Sequence, residues 1–410
     1  MKKKYINKIF ALLISVICLG ILPGCASAFG NSSDKHVLAL RSGTYSEVIR
    51  QCIPGFEEKY GITCEIKEFG EDELYNAILN NSLVNKSDYD LCMVDGSWMA
   101  EFMDSGVLSN LTGLGYSFDD DIIPATTKVC YHDGEVYLAP YYGNVTVMLY
   151  NRDLLEGSGL SDGIKTWNDV MTLSKYAEEQ GINGYIYRGD TENNVVVDFL
   201  PILCAHGGWV IDSDNNPTVD TPEFHAAMEY YMELISTGAA MDKETMINSI
   251  ETGSGCTGVG WPGWVSTDKE SNTDFVAIPT GISDSDPDYN SNIYGIWTIG
   301  IPANSGNRDN ACELLKYLMD PEIQKSTVEN EGVPCRYSSL RDPEIFKLHP
   351  HFTEICNALE NGVYRPIIKE WPQFYQYLGK EMADILNGKQ SIEDGLAIAQ
   401  HNLEALMGTG

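Results

Sequence analysis

Apolar and polar residues alternate with two different periods near the start of the chain. The apolar run from Val37 to Leu40 has the length of a buried strand, and helically spaced apolar residues then lead through Phe56 to Tyr60. A second strand-like run covers 62–68. A strand, a helix and a strand within roughly 30 residues predict a parallel sheet with ligand-facing loops after its strands.

The same alternation continues along the chain. A strand over 90–94 ends in Asp95-Gly96-Ser97-Trp98, and the β-branched, apolar segment 145–150 predicts another buried strand. Pro140 and Gly143 interrupt the chain before that segment. Helices are predicted over 72–81, 99–104, 167–179, 194–205, 222–237 and 309–319. Two more amphipathic helices, separated by Gly388-Lys389-Gln390-Ser391, are predicted within 371–407. A chain of 410 residues is too long for one ordinary domain, so two lobes are expected.

Several segments around residues 140–169 resemble one known family. They are Pro140-Tyr141-Tyr142-Gly143, the apolar strand that follows, Tyr150-Asn151-Arg152-Asp153-Leu154 and Thr166-Trp167-Asn168-Asp169. In this order they resemble the hinge region of the extracellular solute-binding proteins that feed ABC importers. They are most similar to the carbohydrate-binding cluster that includes the maltodextrin-binding proteins. The resemblance covers nearly the whole chain after residue 35.

The resemblance implies an α/β, two-lobed periplasmic-binding-protein-like fold. Each lobe would be a mostly parallel sheet flanked by helices. The first lobe would contain residues 36–142 and 300–345, and the second would contain 143–299 and 346–410. The hinge crossings would lie near Tyr142 to Asn144, near Ile299, and between Asp342 and Phe352.

The amino terminus has the pattern of an export signal. Four lysines within the first eight residues precede the apolar run 9–19, and Leu22-Pro23-Gly24-Cys25 follows. This resembles a bacterial lipoprotein signal, so residues 1–24 would be removed, Cys25 would carry the lipid and 25–35 would be a flexible tether. An uncleaved anchor is the alternative. Either way, the body would lie outside the cytoplasm, at the outer face of the cell membrane.

The overall charge is strongly negative. There are 27 lysines and arginines against 59 aspartates and glutamates, a net charge of −32 at pH 7. Such a surface repels nucleic acids and anionic lipids. It also disfavours an anionic ligand unless a few arginines gather at one place.

Eleven cysteines are unusual for an exported chain. Cys18 and Cys25 belong to the signal, and the other nine show none of the short spacings of zinc or redox motifs. Most have apolar or small neighbours, which predicts buried thiols, with a single disulfide left open.

Two motifs suggest other chemistry. Ser161 lies in a Gly-x-Ser-x-Gly pattern, but a hydrolase nucleophile needs a strand directly before it and a helix directly after it, and neither is predicted there. A partial calcium loop is the second motif, although Pro217 occupies its glycine position. A turn followed by a helix cap at Asp220 or Thr221 explains the same residues. The calcium-loop residues are Asp212, Asp214, Asn216, Asp220 and Glu223.

Aromatic residues cluster at predicted loop ends and hinge crossings. A flat indole covers the apolar face of a sugar ring, while polar side chains bond its hydroxyls. Each ring alone is also compatible with a place in the core. By the resemblance to the family's motifs, ligand contacts would come from Asp95, Trp98, Asn144, Trp261 or Trp264, Trp371 and Tyr375. Placement in predicted loops and crossings adds Arg41, Tyr45, Tyr142, Trp297 and Arg336 as candidates.

By this resemblance, the chain is expected to be a lipid-anchored, monomeric receptor of an ABC importer. It would capture a sugar or oligosaccharide between two lobes and deliver it to the permease subunits, without catalysis, cofactor, metal or nucleic acid. A receptor for a polyol phosphate or phosphodiester is one alternative, and a cluster of arginines would distinguish it. A secreted hydrolase is the other.

Overall fold

The structure is a computed structural model that describes residues 35–265, 270–287 and 289–409. The predicted signal 1–24, Cys25 and nearly all of the tether lie outside the described residues. The strands are β1 (Lys35–Arg41), β2 (Thr63–Phe69), β3 (Leu91–Asp95), β4 (Tyr131–His132), β5 (Glu135–Val136), β6 (Leu138–Tyr142), β7 (Val147–Asn151), β8 (Asn183–Tyr187), β9 (Ala239–Ala240), β10 (Gly255–Gly260), β11 (Thr273–Ala277) and β12 (Trp297–Gly300).

Helices connect and cover these strands. They are α1 (Thr44–Tyr60), α2 (Glu71–Ser82), α3 (Met99–Asp104), α4 (Arg152–Gly157), α5 (Trp167–Glu179), α6 (Glu192–Ala205), α7 (Pro222–Ser236), α8 (Lys243–Thr252), α9 (Arg308–Leu318), α10 (Pro321–Thr327), α11 (Tyr337–Leu340), α12 (Pro343–Leu348), α13 (Phe352–Asn361), α14 (Trp371–Leu386) and α15 (Ile392–Met407). Short 3₁₀ turns cover Gly96–Trp98, Pro124–Cys130, Pro262–Trp264 and Val328–Asn330. Within the described residues, no helix is both long and apolar enough to span a membrane.

Two five-stranded sheets form the two lobes. The first has the order β2-β1-β3-β12-β6 and the second β11-β7-β10-β8-β9. In each sheet two neighbouring pairs are parallel and two are antiparallel. This corrects the expectation of mostly parallel sheets. The chain enters each lobe from the hinge through β7 or β12, so these two strands point away from the hinge. Their neighbours point towards the hinge, which makes the pairs antiparallel.

Helix ends follow local sequence signals. Thr166 caps α5, because its hydroxyl accepts from the backbone N–H of Asp169 at 3.2 Å while the Asp169 carboxylate accepts from the N–H of Thr166 at 2.8 Å. Gly61 ends α1 with φ 72°, a left-handed conformation that glycine adopts without strain.

Three segments of chain lie side by side at the hinge. The N–H of Gly295 donates to the carbonyl of Asn144 at 3.0 Å, and the N–H of Tyr294 donates to the carbonyl of Val363 at 2.9 Å. The crossing predicted near Ile299 therefore lies slightly earlier, since β12 belongs wholly to the first sheet. The last crossing follows α13 rather than preceding Phe352, because α13 packs its apolar face into the first hydrophobic core.

All nine cysteines in the described residues are free thiols. Eight are buried, and Cys64 is partly buried. The sequence predicted buried thiols from their apolar neighbours, and the structure agrees at eight positions.

Candidate ligand-binding site

A cavity of about 350 Å³ lies between the lobes, where β1, β3 and β8 end. Seven residues singled out from the sequence line it: Arg41, Tyr45, Asp95, Asn144, Trp261, Trp264 and Trp297. Loops after strands in both sheets supply most of this lining, as the strand-helix-strand pattern predicts.

Aromatic rings form the first-lobe wall. The ring of Tyr45 lies 5.4 Å from that of Trp297 and 5.0 Å from that of Tyr142. The Tyr45 hydroxyl accepts from Nδ2 of Asn144 at 3.1 Å, so its own proton remains available to a ligand. Burial raises the pKa of Tyr45, which keeps that proton in place.

The second-lobe wall is the turn after β10. A Cβ at Gly295 would lie 2.6 Å from the Trp261 ring, so only glycine lets this indole rest against the hinge. The guanidinium of Arg188 and the ammonium of Lys243 lie 5.1 and 5.6 Å from the centre of the Trp264 ring. Trp264 thus contacts two cations rather than solvent alone.

Two buried ion pairs hold the polar part of the site. Nη2 of Arg365 lies 2.6 Å from Oδ1 of Asp95, which also accepts from the N–H of Ser97 at 2.8 Å. The guanidinium of Arg188 binds both carboxylate oxygens of Asp198. Because each charge has a partner, the pairs are tolerated in the interior.

Glu71 joins the two lobes across the cavity. Its Oε1 accepts from Nδ2 of Asn193 at 3.1 Å, and these residues belong to α2 and α6. Loss of water and the nearby Asp95 carboxylate raise the pKa of Glu71. This carboxyl group therefore holds a proton more readily than an exposed one.

Several buried polar atoms at the cavity lack a hydrogen-bond partner among the described residues. They are Oδ1 of Asn144, Oδ1 of Asn193 and Nε of Arg41. An unsatisfied buried acceptor costs about 1–3 kcal/mol, so hydroxyl donors from a ligand would stabilise this site.

A second cavity of about 590 Å³ adjoins the first and shares four lining residues with it: Arg41, Glu71, Asn193 and Asn194. Two further predicted residues, Trp98 and Tyr375, line this second space. The ring of Trp98 also packs edge-on against Trp297 at 5.5 Å. The two cavities together offer room for a ligand longer than one ring.

The structure places the other three predicted residues away from both cavities. Tyr142 lies behind Tyr45, and its hydroxyl donates to the carbonyl of Glu331 at 2.7 Å. Arg336 is 1% exposed and binds the carboxylates of Asp119 and Asp121 on the first lobe. Trp371 is fully buried in the second core. The prediction that these three residues contact the ligand is therefore wrong for these two cavities.

Sequence reasoning missed other residues of the first cavity, among them Glu71, Arg188, Asn193, Lys243 and Arg365. Arg188 directly follows β8, just as Asp95 ends β3. Its position after a predicted strand could therefore have marked it as a candidate site residue. Arg365 lies in the irregular last crossing, where no periodicity marks it.

The alternative motifs occupy surface turns. Ser161 is exposed in a turn between α4 and α5, with a helix rather than a strand before it. Asp212 accepts from the N–H groups of Asp214 and Asn216 at 2.9 and 2.8 Å, and Asp220 pairs with His225 at 2.7 Å. In the described part of the chain, no three metal-binding side chains converge.

Thr221 is the N-cap of α7, the helix that follows the loop 212–220. The Thr221 hydroxyl accepts from the N–H of Phe224 at 3.4 Å, at the start of α7. Glu223 follows within the first turn of that helix. The residues of the partial calcium motif thus form a turn followed by a helix cap.

Residues 41–325 match the model of the bacterial extracellular solute-binding protein family. The chain belongs to this family. The solute-binding family resemblance stated from the hinge motifs is thereby confirmed, as is the two-lobed α/β fold.

Individual members of the solute-binding family are distant in sequence. A probable amino-acid ABC transporter periplasmic-binding protein of Sinorhizobium fredii is 23% identical over 88% of both chains. The maltose-bound MalE3 of T. maritima is 22% identical with a TM-score of 0.81, covering 91% of this chain and 99% of its own. A ribitol-bound solute-binding protein of Agrobacterium radiobacter is 21% identical with a TM-score of 0.80, covering 91% and 98%. At these identities, the solved structures establish the fold alone.

Proposed function

We propose that this protein is the extracytoplasmic receptor of an ABC importer and captures a sugar or a polyol between its lobes. The observation that carries the proposal is the pair of unpartnered amide oxygens, Oδ1 of Asn144 and Oδ1 of Asn193, between aromatic walls. Hydroxyl groups are the donors that such acceptors need, and the rings suit the apolar face of a sugar. The maltose and ribitol in the two similar structures are hydroxyl-rich ligands of this kind.

The site acts by binding and closure rather than by reaction. The carboxylates near its centre, Asp95 and Glu71, are engaged by Arg365 and Asn193. The ligand would leave unchanged for the permease subunits. Chromatography of a bound oligosaccharide after long incubation should recover it intact, and any cleavage product would favour the hydrolase alternative.

Calorimetry tests the ligand class. Maltose, ribitol and a pool of neutral oligosaccharides form one arm, and an amino-acid mixture forms the other, because one relative is named for amino acids. We expect binding in the sugar arm, weakened about tenfold or more in Asn144→Leu. Asn168→Leu, an exposed position on α5, is the matched control and should bind like the parent. Binding of amino acids alone would contradict the proposal.

We also propose that Cys25 carries the lipid anchor. The supporting pattern is the basic and apolar segment before Leu22-Pro23-Gly24-Cys25. Cys25→Ser should release the protein from the membrane fraction, whereas Cys18→Ser should leave it attached. Retention of an acylated Cys25→Ser protein would contradict this assignment.

A further inference from the structure

Two cationic side chains from opposite lobes line the same cavity. Arg41 ends β1 in the first lobe, and Lys243 begins α8 in the second. Loss of water lowers the pKa of Lys243, the Glu244 carboxylate raises it, and the positive charges of Arg41 and Arg188 lower it. The lobes therefore bring like charges together around this space.

Among the described residues, neither of these cations has a buried ion-pair partner. Nη1 of Arg41 donates to the neutral Ser42 hydroxyl at 2.9 Å, and its buried Nε is unpartnered among the described residues. The one carboxylate that Lys243 approaches within the described residues is that of its neighbour Glu244, at 3.9 Å, and the Glu244 side chain is 82% exposed. An exposed pair at this distance contributes little.

The acidic residues of the cavity do not neutralise them. Asp95 is paired with Arg365, and Asp190 is an exposed residue that accepts from Nδ2 of Asn194 at 2.9 Å. The remaining carboxyl group, Glu71, has a raised pKa, because loss of water and the Asp95 carboxylate outweigh the lowering effect of Arg365 and Arg41. The interior of the cavity is thus more positive than the equal numbers of acidic and basic residues suggest.

We propose that the sugar held in this cavity carries a negatively charged group, which lies between Arg41 and Lys243. This inference rests on the proposed sugar-binding function and specifies its ligand as an acidic sugar. An anion there would convert repulsion between the lobes into attraction, so it would favour the closed form directly.

Backbone polarity at the site has the same sign. The amino terminus of α1 lies at the cavity, where Gly43 supplies no side-chain cap. Helix amino termini carry partial positive charge, so the uncapped start of α1 adds to that of the side chains. The start of α8 does not, because the Asp242 carboxylate caps it and accepts from the N–H of Thr245 at 2.8 Å.

The unpartnered oxygens exclude a simple inorganic anion as the best ligand. Oδ1 of Asn144 and Oδ1 of Asn193 need hydroxyl donors, which a carboxylate or fully ionised phosphate does not supply. A sugar acid or a sugar phosphate supplies both kinds of group. A chain with a net charge of −32 can bind an anion only where several cations lie together. Arg41, Arg188 and Arg365 all line this cavity.

Matched ligands test this inference. Calorimetry would compare galactobiose, digalacturonate and a disaccharide phosphate at low and at physiological salt. At least one acidic ligand should bind ten times or more tightly than galactobiose, with a preference that falls as salt rises. The tighter of the two acids then shows whether the group is a carboxylate or a phosphate.

Variants localise the charge. Arg41→Gln and Lys243→Met should each reduce the preference for the acid at least fivefold, while Arg41→Lys should retain most of it. Lys175→Met, on the exposed face of α5, is the control and should leave the preference unchanged. Melting temperatures confirm that each variant is folded.

Two contrary results have different meanings. If the parent binds galactobiose as tightly as the acids, or if the preference survives in both folded variants, the acidic-sugar inference is overturned while the sugar receptor stands. If no sugar binds, charged or neutral, the proposed function itself fails.

Discussion

Arg365 and Asp95 form a buried ion pair that ties the last hinge crossing to the end of β3, with 2.6 Å between Nη2 and Oδ1. The two residues are 270 positions apart in the chain. Both side chains are at least nine-tenths buried. The pair therefore fixes the crossing against the first lobe at the floor of the cavity.

Removing one partner should be costly. Arg365→Met leaves the Asp95 carboxylate buried and unpaired, so we expect the free energy of unfolding to fall by about 3–5 kcal/mol. Urea unfolding measures this. Lys175→Met breaks the exposed pair with Glu233, and should cost less than about 1 kcal/mol. Equal unfolding midpoints for the two variants would refute the structural role of the Arg365 pair.

The tryptophans should separate into two kinds. Trp371→Ala removes a fully buried ring from the second core and should cost about 3–5 kcal/mol of stability. Trp264→Ala removes a half-buried cavity ring and should weaken sugar binding by about 5- to 150-fold, or about 1–3 kcal/mol. Trp98 and Trp297 are each 3% exposed. Their substitution by Ala should lower both the free energy of unfolding and the sugar affinity. Unchanged affinity in a folded Trp264→Ala protein would remove that ring from the site.

The hydrogen bond between Glu71 and Asn193 should favour closure. Asn193→Ala removes this bond between the lobes, which contributes about 0.5–1.5 kcal/mol, and also the Oδ1 proposed to face the ligand, so sugar affinity should fall several-fold or more. Small-angle scattering should show a smaller radius for the parent when sugar is bound, and the variant should need more sugar to reach it. Asn168→Ala on exposed α5 is the control. A radius that does not change at saturation would contradict closure of the lobes.

Glu251 should make stability depend on acid pH. Loss of water raises its pKa, but hydrogen bonds from Ser271, from Thr273 and from the N–H of Asn272 lower the pKa from 4.5 to about 2. Its contribution is therefore present above pH 4.5 and is lost as the pH falls towards about 2. With solvent screening, this amounts to about 1–2 kcal/mol.

Urea unfolding between pH 7 and pH 2 checks this dependence. Glu251→Gln should be less stable than the parent at pH 7, and the difference should shrink as the pH falls. Glu233→Gln, at an exposed position, should follow the parent at every pH. Parallel curves for Glu251→Gln and the parent would rule out the carboxylate as the cause.

Hydrophobic periodicity predicted individual strands such as β1 and β3, which bury short apolar runs. The two lobes were expected from the chain length and from the family resemblance. Periodicity could not show which of two neighbouring rings on one helix face reaches the core and which reaches a cavity. Trp371 and Tyr375 both lie in α14, yet one is fully buried and the other lines a cavity. Arg336 was predicted at the site from its place near a loop, but its partners Asp119 and Asp121 are more than 200 residues away. Such distant pairing has no local sequence signal.

The position of β12 sets the order in which the first lobe can fold. It lies between β3 and β6 in the sheet, although about 150 residues separate it from β6 in the chain. A nascent chain that ends after β6 lacks the strand on which both neighbours depend. The first core therefore remains incomplete until residue 300 has been synthesised, and contacts of such long sequence separation form slowly. An exported chain gains from this delay, because translocation requires an unfolded polypeptide.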